Sequence, residues 1–215
     1  MTIVSTADSS TSSALVAELG GSSHDAVDYM IGIGLIKDSE AVYFQYAGDD
    51  NKVALMQPNG KPVTRIGPVL VTGITVKDNA YADSGFQGDK VNVFLQTQSG
   101  LNLMITTGLT TMWAQCFVTA LMGMFAADCL NSLVNVDTYK GSSKLGVYFA
   151  NVRNNGNKMT SNALYEDFAA ARADRDKALV EKLMRDSIAV VNTALSETHT
   201  VEDVVVNEVP ADSDY

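Results

Sequence analysis

Val63 to Lys77 reads VTRIGPVLVTGITVK, a β-branched run interrupted at Gly67-Pro68 and at Gly73, where a strand can bulge or bend. It predicts one long, bent strand. Downstream, Val91 to Gln98 alternates cleanly, with Val91, Val93 and Leu95 on one face and Asn92, Phe94, Gln96 and Gln98 on the other. Ser99-Gly100 then turns the chain into Leu101 to Thr107, whose Leu101, Leu103 and Ile105 are expected to point inward, giving a hairpin. Between Lys77 and Lys90 lies DNAYADSGFQGD, a polar loop holding two aromatics, Tyr81 and Phe86.

Upstream, Glu40 to Tyr46 (EAVYFQY) and Lys52 to Gln57 (KVALMQ) are short β-rich runs around the turn Gly48-Asp49-Asp50-Asn51. Leu109 to Leu133 changes period to an almost all-round apolar helix, capped by the threonines before it, and such a helix is buried. Two further β-runs follow, Leu133 to Tyr139 and Leu145 to Arg153. From Ser161 to Leu195 the spacing predicts one long helix, with Phe168, Val180, Leu183, Met184, Ile188, Val191 and Leu195 on its apolar side and a Glu181/Arg185 pair on its surface. Four segments result: a flexible acidic arm over 1–28, a β-rich body over 29–160, a helix over 161–196 and a disordered acidic tail over 197–215.

The chain has 215 residues, 46% of them hydrophobic, enough for a sizeable core. Its net charge of −10 is unevenly spread. Residues 1–28 hold four acids and residues 197–215 hold six, with no Lys or Arg in either stretch, which leaves 15 acids against 15 bases between them. The body is neutral, so phosphate is not repelled by the fold itself.

The only histidines, His24 and His199, lie in polar terminal stretches, which argues against a histidine-based catalytic or metal centre in the core. Cys116 and Cys129 match neither a zinc ribbon nor a disulfide framework, and a reducing cytoplasm is expected, with no signal peptide, lipid anchor or membrane span. No phosphate-binding G-x-x-x-x-G-K-[ST] is present, and Asp49, Asp50 and Asp137 read as surface acids. No enzyme and no cofactor or metal is expected.

Aromatic and basic residues carry the remaining chemistry. Phe94 sits among amides on the polar face of its strand, where base stacking would use it. The alternative is burial under another element. Lys77 and Lys90 bracket the loop with Tyr81 and Phe86; Lys140 and Lys144 bracket a Gly/Ser turn beside Tyr139; Arg153 and Lys158 bracket an Asn-rich loop. Such residues could contact phosphate and base together.

From Val63 to Arg153 the order of a long bent strand, a hairpin of strands, a helix and two strands is that of an OB-fold, a five-stranded barrel with a helix between its third and fourth strands. The expected class is therefore α+β, mainly antiparallel, with an OB-fold-like barrel, an inserted buried helix and a long C-terminal helix. A Whirly-like sheet backed by helices is the alternative. This order, followed by an acidic tail ending in Asp212, Ser213, Asp214 and Tyr215, resembles phage-type and bacterial single-stranded DNA-binding proteins. The resemblance implies a protein that coats single-stranded DNA in replication or recombination, in a bacterial or phage-infected cell, as a homo-oligomer. It also implies a tail that docks replication or recombination proteins through Asp212, Asp214 and Tyr215 and competes with DNA. A structural or assembly protein without nucleic-acid binding is the other expectation.

Overall fold

In the computed structural model, residues 27–36, 39–46, 52–78, 88–142 and 146–204 are described. The expected N-terminal arm, the turn at 47–51, Tyr81, Phe86, Lys144 and the tail tip Asp212, Asp214 and Tyr215 lie outside them. The described residues form an α+β fold of nine strands and three helices. The strands are β1 (Tyr29–Ile33), β2 (Tyr43–Tyr46), β3 (Lys52–Ala54), β4 (Arg65–Lys77), β5 (Lys90–Thr97), β6 (Asn102–Gly108), β7 (Val134–Lys140), β8 (Tyr148–Asn154) and β9 (Asn157–Lys158). The helices are α1 (Met112–Ala126), α2 (Asn162–Ala173) and α3 (Lys177–Val204).

All strands join one sheet in the order β3-β2-β1-β6-β5-β4-β7-β8-β9, antiparallel except for the β1–β6 pair. The sheet is open, with β3 and β9 at its edges, so the expected barrel does not close through this ladder. The bent strand predicted from Val63 to Lys77 is β4. Its first part pairs with β7 from Arg65↔Asp137 to Val69↔Val134, and its second part pairs with β5 from Val69↔Thr97 to Lys77↔Lys90. The register shifts fall between Ile66 and Val69, across Gly67-Pro68, and between Val71 and Gly73.

Beyond Val69, β4 has no β7 partner, and a strand edge facing the protein interior needs hydrogen bonds from somewhere. Asn192 of α3 supplies them for Ile74: its Nδ2 donates to the Ile74 carbonyl at 2.6 Å, and the Ile74 amide donates to its Oδ1 at 3.1 Å. One side-chain amide thus replaces a missing strand neighbour and docks α3 on the sheet.

The core lies between the sheet and the helices. Val91, Val93 and Leu95 of β5 are buried, as their alternation predicts, with Ile105, Val134, Val136, Val152, Trp113, Phe117 and Leu121. Leu101 instead is exposed, because it stands in the turn before β6 begins. At Gly123 a Cβ would meet the backbone of Thr160 at 2.5 Å, and the nearby Ser161 amide donates to the Thr119 carbonyl, so the chain leaving β9 crosses directly over α1.

The helices depart from expectation at their ends. α1 starts at Met112, three residues after the expected Leu109, with Thr111 rather than an earlier threonine as the N-cap that accepts from the Ala114 amide, and it stops at Ala126 because Asp128 takes a left-handed φ of 52°; Phe125 and Leu133 are exposed. The helix expected over 161–195 is two helices broken at Asp174-Arg175-Asp176, where Arg175 has φ 58°. Asp176 caps the new start through the Leu179 amide. α3 then continues to Val204, so the first part of the expected tail is helical.

Although the sheet is open, its curl brings β2 to β7 across the interior. The Tyr43 hydroxyl lies 2.5 Å from Thr138 Oγ1, and Trp113 Nε1 of α1 donates to the same oxygen at 2.7 Å. Tyr43 and Trp113 are almost wholly buried, and burial pushes the Tyr43 phenol well above its ordinary range. Thr138→Val keeps the shape but removes the oxygen that both groups use. It should cost about 1–3 kcal/mol for each group left without a partner. Urea unfolding that finds Thr138→Val as stable as the wild type would contradict this role.

Candidate nucleic-acid interface

Register defines the second face of the sheet. Phe44, Gly32, Thr106, Asn92 and Thr75 are successive partners across β2, β1, β6, β5 and β4. Met30, Met104, Phe94 and Gly73 form the next row, and Asn102 and Gln96 the one after it. This face thus carries aromatics, methionines and amides together. Phe94 is half-buried, between full stacking exposure and full burial. The Phe44 ring lies across Gly32, where any side chain would collide with it, and Lys52 Nζ sits 4.7 Å from the centre of that ring.

Lys77 and Lys90 are direct register partners on this face. Burial pulls the Lys90 ammonium below its ordinary range, and the charges of Lys77 and Lys52 lower it further. Three lysines therefore gather at the Phe44 end of this face. Lys52 carries no signal in the sequence, since three residues of β-run after a turn give no hint of which strands they will join.

The other candidates are not part of this group. Arg65 and Lys77 stand twelve residues apart on β4, which for an extended strand is roughly 40 Å before bending, and Tyr139, Lys140, Arg153 and Lys158 gather at the Arg65 end on β7, β8 and β9. There Tyr139 stacks on Phe149 with ring centres 5.5 Å apart, and its phenol is raised chiefly by burial. Lys140 and Lys158 are exposed. Arg153 is tied down, its Nε donating to Asp137 Oδ2 at 3.1 Å and its Nη1 to the Gly156 carbonyl at 3.2 Å. That makes it a brace between β7 and the β8–β9 turn.

Asp137 is held by two guanidinium groups, Arg65 and Arg153. Its carboxyl lies below the usual carboxylate range mainly because Arg65 donates to it; partial burial opposes this, and Arg153 adds to it. Among the described residues no group of His, Cys, Asp and Glu could hold a metal ion, and no helix is long and apolar enough to cross a membrane. Comparison with known proteins finds no match to the chain among family models, curated proteins or solved structures.

The Asp137 cluster has a definite pH signature. Since the folded pKa is depressed, its stabilising effect is fully present above the unfolded value of about 3.9 and is lost as pH falls through the folded value. Urea unfolding should therefore find Asp137→Asn less stable than wild type near neutral pH, with the gap closing in strong acid. A gap independent of pH would contradict the assignment.

Proposed function

We propose that this protein binds single-stranded DNA without catalysing a reaction, through the face of β2, β1, β6, β5 and β4. The observation that carries the reading is the gathering of Lys52, Lys77 and Lys90 near Phe44, at the end of the face that carries Phe94 and Met104 two register rows further on. Ammonium groups near the half-buried Phe94 ring and the amides Asn92, Gln96 and Asn102 suit a flexible strand, because phosphates and base faces alternate along it and every base offers a π-face, while the buried Phe44 ring supports the face from beneath.

The strand order lends support. β6, β5, β4, β7 and β8 lie side by side, with α1 between β6 and β7 in the chain, an arrangement compatible with an OB-like barrel opened along one seam. Tyr139, stacked on Phe149 beside Lys140, offers a second stacking platform at the far end of β4. The proposal includes a partner-docking role for Asp212, Asp214 and Tyr215, and coating of DNA by several copies. A second reading, assembly without nucleic acid, is favoured by the exposed Tyr29, Val53 and Leu101 around the β1–β3 end of the sheet.

Fluorescence anisotropy with labelled oligothymidine at several salt concentrations separates the two. Binding should weaken linearly in log salt, and replacing Lys52, Lys77 and Lys90 by Gln should reduce the slope by about 0.7 for each phosphate that is no longer neutralised. Phe94→Ala should cost about 1–3 kcal/mol per stacked base while the protein stays folded. Absent or salt-independent binding would favour assembly, and unfolding of Phe94→Ala would assign that ring to the core.

A further inference from the structure

A cavity of about 1100 Å³ opens on the helix side of the molecule, between the start of β5, the start of α1 and the α2–α3 corner. Its size suits a small-molecule ligand. Three cationic side chains, Arg172, Arg175 and Lys177, line it, together with Asp89, Asp176 and Glu181. Formal charge is balanced, but the two signs are differently committed. Asp89 and Glu181 both bind Arg185, and Asp176 accepts from the Leu179 amide. Among the described residues, no carboxylate engages Arg175 or Lys177.

Arg172 is positioned from behind. Gln115, almost fully buried, donates through Nε2 to the Thr110 carbonyl at 2.7 Å and accepts from Arg172 Nη1 on its Oε1, which holds the guanidinium at the cavity wall. Arg175 stands at φ 58°, just beyond the Asp174 C-cap of α2. Glycine is the usual residue at that helix-ending position, because a side chain is strained there. An arginine in such a conformation, at the mouth of a cavity, is an outlier that points to use rather than to stability. The first turns of α1 and α3 face the cavity with the partial positive charge of their amides, while the C-terminal turn of α2 at Ala171 and Arg172 brings a smaller opposing contribution from one helix end.

We infer that this cavity binds a phosphate group, gripped by Arg172, Arg175 and Lys177. Planar guanidinium groups suit the paired oxygens of phosphate, and Lys177 adds a movable point charge. The phosphate could belong to a free nucleotide or pyrophosphate, or to a nucleic-acid strand rounding the end of the sheet. Lys90 is the residue after Asp89 and pairs with Gly108, both of which line the cavity. Phosphate binding here does not depend on strand binding at the sheet face.

Isothermal titration calorimetry of the full chain with inorganic pyrophosphate tests it, with a nucleoside triphosphate and its uncharged nucleoside as further probes. Pyrophosphate and the triphosphate should bind and the nucleoside should not. Arg175→Gly should weaken pyrophosphate binding about tenfold or more, while its thermal midpoint stays at or above that of the wild type, since glycine accepts this conformation freely. Lys177→Gln, an exposed change at the start of α3, should weaken binding in the same direction and guards against an unforeseen folding effect of the first variant. Pyrophosphate binding that oligothymidine displaces would assign the phosphate to a strand, and binding that it leaves unchanged would assign it to a free ligand. Failure of every phosphate probe to bind, or wild-type pyrophosphate affinity in both variants, would overturn the proposal.

Discussion

Much of the structure depends on one strand serving two ladders. β4 pairs with β7 over its first residues and with β5 over the rest, and only a backbone that bulges at Gly67-Pro68 and again at Val71/Gly73 can do both. The divided pairing sends the two halves of the sheet in different directions. Among the described residues no strand pairs with the β7-side edge of β4 beyond Val69, and the Asn192 amide of α3 satisfies Ile74 there. The curl that follows allows Tyr43 on β2 and Trp113 on α1 to meet at a single oxygen on β7.

The same geometry separates two groups of candidate residues. Lys77 and Lys90 stand at one end of β4 and β5, close to Lys52 and the Phe44 ring. Tyr139 and Lys140 stand at the opposite end, beside a cluster in which Asp137 alone answers two guanidinium groups, Arg65 and Arg153. Local charge therefore differs sharply from net charge. A chain at −10 can present a compact group of ammonium ions on one sheet face, since its acids are concentrated toward the ends of the sequence.

What could be read in the sequence was what local physics decides. The alternation of Val91, Val93 and Leu95 and the interruptions of β4 are set by residues within a few positions of each other and appear where expected, whereas the helix cap falls at Thr111, inside the run expected to be helical. The break at Asp174-Arg175-Asp176 was hidden because no glycine or proline marks it; the apolar spacing continues through it, and a strained arginine makes the turn. Likewise, the parallel β1–β6 pair, the role of Asn192 and the approach of Lys52 to Lys90 join segments far apart in sequence. No periodicity carries that information. Of the candidate site, the nearness of Lys77 and Lys90 was legible from the loop they bracket, whereas the bonds of Arg153 to Asp137 and Gly156 were not.

Lysine-reactivity footprinting by mass spectrometry, with and without saturating oligothymidine, tests the central claim most directly because it reads each ammonium group separately. Lys52, Lys77 and Lys90 should become less reactive together when the strand binds, while Lys182, paired with Asp186 on the outer side of α3, should not change. Unchanged reactivity at all three sheet lysines in a protein that binds the oligonucleotide would contradict strand binding at this face.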